Sequence, residues 1–188
     1  GLKTPFHNVD LAVVRECTED VFAGVEQMIG EDAAIAIKGT SRTACERIIR
    51  FAFDFAVKNK RRKVTVVLKA NILKLTDGMF LKVAREVASQ YPQIVFQETN
   101  VDAQCMDLVR KPQEFDVLVM PNVYGDIIAD IAGGLVGSLG VCPGGNYSAD
   151  TAVFESAHGS APKYAGQNKV NPTAMILSGA MMLRHIGE

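Results

Sequence analysis

Phe115-Asp116-Val117-Leu118-Val119-Met120-Pro121-Asn122-Val123-Tyr124-Gly125-Asp126-Ile127-Ile128-Ala129-Asp130 decides the reading of the fold. Its first half is a short apolar run rich in β-branched residues, closed by Pro121 and Asn122, and reads as a buried strand. Gly125 allows a tight approach into the next segment. From Asp126 to Leu139 the chain is apolar and rich in Gly and Ala, and reads as a helix. On a helix, Asp126 and Asp130 stand four residues apart and face the same way. Like charges so placed repel by roughly 0.2–0.5 kcal/mol when exposed, and more when buried. A divalent cation held by oxygens at the carboxyl end of a strand would relieve that repulsion. The alternative is a solvated pair, with Asp126 serving as a helix N-terminal acid.

Outward from this stretch, strands alternate with helices. Val9 to Arg15 reads as a first strand, and Ala33 to Lys38 as another β-like run. Thr40 or Ser41 can cap a helix whose apolar positions Ala44, Ile48, Phe51 and Phe55 follow helical spacing to about Val57. The basic residues Lys58, Lys60, Arg61, Arg62 and Lys63 close it, where cations complement the C-terminal dipole. Val64 to Leu68 reads as a buried strand. Thr76 is expected to cap a helix to about Tyr91, with Phe80, Val83 and Val87 inward. Ile94 to Gln97 is a strand, Val101 to Arg110 a helix, and Asp116 to Met120 a strand. From Gly140 to Asn171 the chain is rich in Gly, Pro, Ser and Asn, with one short strand at Ala152 to Glu155. Loops of that length are usually functional. Pro172 suits the first position of a closing helix through Met175, Leu177, Ala180, Met181 and Leu183. The alternation predicts an α/β sandwich on a mixed or parallel sheet.

The 188 residues carry a formal net charge of −1. That balance points away from nucleic acid or an anionic membrane as partner, and no apolar run approaches the length of a membrane span. Residues 1–30 hold no signal-peptide pattern, because acidic residues interrupt every apolar stretch. Cys17, Cys45, Cys105 and Cys142 stand far apart, forming neither a C-x-x-C pair nor a disulfide framework, so reduced intracellular thiols are expected. The location expected is cytoplasmic or the mitochondrial matrix. Gly1 opens abruptly before a strand-like run and Glu188 ends just after a helical one, which suggests a portion of a longer protein.

Polar groups follow three of the strands: Arg15 with Glu16, Lys69 with Asn71, and Asn122 with Asp126. In an open α/β sheet such positions converge on one crevice. A partly buried Lys69 would have a lowered pKa and could act as a general base; the alternative is that its stem snorkels to solvent. Asp102 is either a helix N-terminal acid or a further oxygen ligand. His158, with Gly159, Ser160 and Asn171 nearby, suits a heterocycle, and Lys163 a phosphate. Neither this loop nor Gly133-Gly134 supplies the G-x-G-x-x-G turn of a Rossmann site.

Arg15-Glu16-x-Thr18-Glu19-Asp20, Lys69-Ala70-Asn71-Ile72, Asn122-x-Tyr124-Gly125-Asp126-x-x-x-Asp130 and His158-Gly159-Ser160-Ala161-Pro162, with Asn171-Pro172, resemble the isocitrate and isopropylmalate dehydrogenase family of decarboxylating dehydrogenases. The likeness runs over essentially the whole chain and is strongest to isocitrate dehydrogenase. It implies the family's non-Rossmann α/β sandwich. Residues 1–136 would form the small dimerisation and substrate domain, with a β-rich insertion near 20–40. Residues 137–188 would form part of the large domain, carrying the cofactor loop.

The resemblance also implies roles. Asp126 and Asp130 match the Mg²⁺ or Mn²⁺ ligands of one subunit, and Asp102 the ligand given by its partner. Lys69 matches the partner's lysine that assists removal of the substrate hydroxyl proton. Arg15 and Asn71 match contacts to a small hydroxy-acid substrate. A shared site implies a homodimer or a related heteromer. His158, Gly159, Ala161 and Asn171 match the adenosine side of the cofactor site. Lys163-Tyr164 resembles the NADP-using members, a cation favouring a 2′-phosphate, although much of the chain looks like mitochondrial NAD-type subunits. Phe22 stands where active members carry a tyrosine that reprotonates the enolate carbon, and losing a general acid typically costs about 10²–10⁴ in rate. Non-catalytic regulatory subunits can carry phenylalanine there. Cys17 replaces the usual asparagine and Leu68 a common histidine. The expected activity is oxidative decarboxylation of isocitrate. The alternatives are a regulatory subunit, or a sister enzyme acting on 3-isopropylmalate, homoisocitrate or tartrate.

Overall fold

The computed structural model describes Thr4 and residues 6–188. In chain order the elements are β1 (Ala12–Arg15), β2 (Glu26–Ile29), β3 (Ala33–Ala36), α1 (Arg42–Lys58), β4 (Lys63–Leu68), α2 (Thr76–Ala88), β5 (Val95–Asn100), α3 (Val101–Arg110), β6 (Val117–Met120), α4 (Asn122–Leu135), β7 (Pro143–Tyr147), β8 (Ala152–Ser156) and α5 (Thr173–Ile186). They divide into two units. One spans Asn8–Ile131; the other spans Ala132–Glu188 with the described residues before Asn8. The division falls inside α4, between Ile131 and Ala132, whereas the sequence suggests a break after the helix, at 136/137.

In the first unit, β1, β6, β4 and β5 lie side by side in that order, every pair parallel. The sequence agrees: β6 (VLVM) is wholly apolar and β4 (KVTVVL) nearly so after Lys63, and both are buried on successive residues, as strands covered on both faces are. Val64, Val66 and Leu68 join Val14, Val117 and Val119 in a core with Ile49, Ala52, Phe53 and Ala56 of α1 and Phe80, Val83 and Val87 of α2. Ile48, Phe51 and Phe55 flank this core and are only partly buried, so the inward face of α1 is centred one residue later than the expected spacing. Ser41 caps α1 by accepting from the Ala44 amide at 3.2 Å. β2 and β3 form a separate antiparallel pair.

Several boundaries differ from the sequence expectation. α4 begins at Asn122, and its Gly125 amide donates to the Pro121 carbonyl at 3.0 Å. Asp126 therefore sits in the second turn and is not a helix N-terminal acid. Thr76 is the first residue of α2 rather than its cap, because the preceding turn already uses Leu73 and Leu75 carbonyls. β5 reaches Asn100 because it pairs with the whole length of β4.

In the second unit β7 and β8 pair antiparallel, from Pro143↔Ser156 to Tyr147↔Ala152. The Pro-Gly-Gly-Asn-Tyr run of β7 escapes propensity reasoning, because a partner strand and not its own composition makes it a strand. α5 packs on this pair. Buried Ser178 ties them: its hydroxyl accepts from the Gly144 amide (3.2 Å) and lies 2.7 Å from the Glu155 carbonyl. The hydroxyl of Thr4 also bonds the Leu135 carbonyl.

Candidate active site

A parallel sheet brings all its carboxyl ends to one rim. Along that rim, from β1 through β6 and β4 to β5, follow Arg15, Asn122 with Asp126, Lys69, and Asp102. The first half of the rim centres on Arg15. Its Nε donates to Asn122 Oδ1 at 2.9 Å and its Nη1 pairs with Asp126 Oδ1 at 2.6 Å. The guanidinium lies 4.9 Å from the centroid of the Phe22 ring. Gly125 is what lets the arginine run here: a Cβ at that position would stand 2.5 Å from Arg15 Cγ and 2.7 Å from its Cβ. Asp130 follows one turn after Asp126 on α4.

Glu16, next to Arg15, is buried and fixes the loop behind the site. Its carboxylate accepts from the Thr18 amide and hydroxyl, the Glu19 amide, and Arg47. Burial pushes this carboxyl up, but the bonds from Thr18 and Glu19 and the charge of Arg47 outweigh it and hold the pKa below its ordinary value.

The second half of the rim is an ion pair. Lys69 Nζ reaches Asp102 Oδ1 at 2.6 Å. The hydrogen bond from Lys69 draws the Asp102 carboxyl below the usual range, helped by its own helix amides. Lys69 is partly buried, as anticipated, but its ammonium is charge-paired. Asn71 lies exposed in the turn after β4.

Between the halves runs a buried network absent from the sequence expectation. Lys38 Nζ lies 2.9 Å from Asp20 Oδ2 and 3.6 Å from Asp77 Oδ1. Asp77 Oδ2 accepts from the Lys69 amide at 2.7 Å and from the Tyr124 hydroxyl at 3.0 Å. Asp20 Oδ2 accepts from the Val123 amide at 3.0 Å. The Lys38 ammonium also sits 4.7 Å from the Tyr124 ring centroid. Burial, and then the charge of Asp77, push the Tyr124 phenol far above its ordinary value, so it remains a donor. The sequence hints are Asp20 and Tyr124, which stand in the quoted motifs without an assigned role, and Lys38, a charge closing an apolar β run.

The second unit carries the other predicted residues on one loop. His158 Nδ1 stands 2.8 Å from the Gly159 carbonyl, which can only accept, so the neutral ring carries its proton there and its lone pair on Nε2. Ala161 adopts a left-handed conformation (φ 45°), opening the 3-10 turn Pro162–Tyr164. Lys163 Nζ lies 4.9 Å from the Tyr164 ring centroid. Asn171 Oδ1 accepts from the Thr173 amide at 3.0 Å and so tethers the start of α5.

Among the described residues, no group of three or more His, Cys, Asp or Glu side chains could hold a metal ion. What one chain offers is a pair of carboxylates on α4, whose hard oxygens suit Mg²⁺ or Mn²⁺, while Asp102 is held by Lys69 further along the rim.

The fold and the rim define an α/β protein with a parallel sheet, whose carboxyl edge carries arginine, lysine and a pair of carboxylates on α4. The sequence model of the isocitrate/isopropylmalate dehydrogenase family matches residues 2–188, and the chain belongs to that family. It is 48% identical, along its whole length, to a regulatory subunit of the mitochondrial NAD isocitrate dehydrogenase of Dictyostelium discoideum, covering 53% of it. It is likewise 48% identical to the alpha subunit of the mitochondrial NAD isocitrate dehydrogenase of Bos taurus, covering 51%. The chain thus spans about half the length of these relatives. The crystal structure of isocitrate dehydrogenase from Methylococcus capsulatus superposes with a TM-score of 0.95 at 52% identity, over 100% of this chain and 57% of that one. The fold is accordingly the family's non-Rossmann α/β sandwich.

Proposed function

We propose that the protein to which this chain belongs oxidises and decarboxylates isocitrate to 2-oxoglutarate and CO₂, passing hydride to NADP or NAD. The observation that carries this reading is the Arg15–Asn122–Asp126 cluster beside Asp130, on one rim with Lys69 and Asp102. Arg15 presents a planar fork matched to a substrate carboxylate. Asn71 offers amide contacts near the substrate. Asp126 and Asp130 would hold Mg²⁺ or Mn²⁺ together with Asp102 of a neighbouring subunit. Once bound there, the cation would act as a Lewis acid on the substrate oxygen. Lys69 of that neighbour would take the hydroxyl proton. The functional unit is then a homodimer or a heteromer of related subunits.

The cofactor adenosine is assigned to His158, Gly159, Ala161 and Asn171. Lys163 and Tyr164 favour a 2′-phosphate and hence NADP, whereas the relatives above are named as NAD enzymes. Among the described residues no helix is long and apolar enough to cross a membrane, and the relatives' mitochondrial naming supports a matrix or cytoplasmic location.

Phe22 favours a second reading, a regulatory subunit that binds without turnover. Its ring holds no proton to give, and Arg15 stacks on it. Steady-state assays of the full-length protein with isocitrate, Mn²⁺ and each nucleotide separate the two. Turnover that rises at least about tenfold in Phe22→Tyr supports the enzyme. Metal-dependent isocitrate binding with no turnover in either form supports the regulatory subunit.

A further inference from the structure

We infer that Lys38 is a positioning residue for the candidate active site, holding the turn that carries Phe22, the first turn of α4 and the backbone of Lys69 in one register through Asp20 and Asp77. The inference rests on the dehydrogenase reading above for its kinetic consequence, though not for its geometry.

Asp77 is fully buried and Asp20 nearly so, at 0% and 2% exposure. Two carboxylates withdrawn from water in this way need a cation between them to offset the lost hydration. The ammonium of Lys38 stands there, on a side chain only 13% exposed. Enclosed in this way and covered by the Tyr124 ring, it acts through its partners rather than on a substrate.

Those partners reach three segments of the rim. Asp20 opens the 3-10 turn Asp20–Ala23 on which Phe22 sits, and accepts from the Val21 amide at 2.8 Å and the Val123 amide at 3.0 Å. It does so with φ at 77°, a left-handed conformation that a non-glycine residue keeps only when its surroundings impose it. Asp77 is the side chain that touches both halves of the rim. It takes the Lys69 amide on the β4 side and the Tyr124 hydroxyl on the α4 side, two residues before Asp126. Lys38 is itself anchored beside the turn, since Ile37 donates to the Val25 carbonyl and Asp20 to the Gly39 carbonyl, each at 3.0 Å. Without its charge, two buried carboxylates face one another, and the segments they tie are free to shift.

The test compares full-length wild type with Lys38→Met and Lys38→Arg, by isocitrate kinetics and by amide hydrogen exchange. In Lys38→Met, kcat should fall about 10²-fold, the loss expected of a misplacement on the order of 1 Å. The KM for the nicotinamide cofactor should stay unchanged, and Lys38→Arg should regain most of kcat. Exchange at the Val21, Lys69 and Val123 amides should quicken in Lys38→Met while that of central β4 stays slow. A wild-type kcat in Lys38→Met, or a lowered kcat with unchanged exchange at these amides, overturns the inference. If Lys38→Met does not fold, combining it with Asp20→Asn and Asp77→Asn removes both stranded carboxylates while each side chain keeps an acceptor oxygen, and is read in the same way. If wild type shows no turnover, the dehydrogenase reading fails alone. Exchange then decides for Lys38, quickening in its favour and no change against it.

Discussion

At the rim of the parallel sheet, candidate residues are held mostly by partners remote in sequence: Arg15 by Asp126, Lys69 by Asp102, and the Tyr124 hydroxyl by Asp77, which also takes the Lys69 amide from the turn just before it. In the loop from His158 to Asn171 the hydrogen bonds are local, running between His158 and Gly159, Tyr164 and Ala161, Gln167 and Lys163, and Thr173 and Asn171. Long-range contacts exist only after the chain has closed large loops, so they are made together or not at all. Local turns form and yield one at a time. The rim should therefore behave as a cooperative block in which one substitution is felt across several residues, and the loop as a set of separable contacts.

The sharpest way to break this contrast is Asp77→Ala. It would strand Lys38 beside Asp20 alone and remove the acceptor shared by Lys69 and Tyr124. Leaving these two donors without an acceptor costs about 1–3 kcal/mol each, read from denaturant unfolding of the full-length protein. A cost near that of one ordinary hydrogen bond, about 1 kcal/mol, would show that the rim is not a block.

Gly125→Ala comes next. The new Cβ would collide with the rigid base of Arg15, not its mobile tip, and overpacking of this kind costs about 1–3 kcal/mol. Arg15 should lose its pairing with Asp126, so the affinity for isocitrate with Mn²⁺ should weaken together with stability. A stability loss with unchanged isocitrate affinity would separate Arg15 from the substrate.

Glu16 sharpens the comparison through pH. Its folded pKa lies below the ordinary 4.5, so its stabilisation is fully present above that value. It is lost as pH falls from 4.5 through the folded pKa, because the unfolded chain takes up the proton first. Glu16→Gln should lower the melting temperature near neutrality and flatten its decline on the acid side. Parallel wild-type and variant curves would remove Glu16 from the acid response.

The sheet is legible in the sequence because parallel strands buried on both faces leave unbroken apolar runs, as at Val64 to Leu68 and Val117 to Met120. The motif residues stand out through the family resemblance, but their partners do not: that Arg15 bonds Asp126 and that Lys69 bonds Asp102 is visible only in the structure. The Lys38 network is not legible either, because the side chains that meet in it, Lys38 with Asp20, Lys38 with Asp77 and Asp77 with Tyr124, lie 18, 39 and 47 residues apart, and no periodic pattern links a charge after one strand to a charge inside the first turn of a later helix. The strand Pro143–Tyr147 is hidden for a related reason: its glycines are tolerated because β8 pairs with it and the Glu155 carbonyl lies close to Gly144.

The smallest structural effect should come from the loop and carry the largest change in selectivity. Lys163 is exposed, with its ammonium over the face of Tyr164 and its carbonyl accepting from the Gln167 side chain. Lys163→Asp should therefore change stability by no more than about 0.5 kcal/mol. The carboxylate would repel a 2′-phosphate and accept from free ribose hydroxyls, so the ratio of kcat/KM for NADP to that for NAD should fall. The two readouts belong together. A fallen ratio with unchanged unfolding would mark Lys163 as a separable specificity contact, as a locally built loop should allow. An unchanged ratio would take the cofactor choice away from Lys163. A large loss of stability would mean that the loop, like the rim, depends on contacts made at a distance.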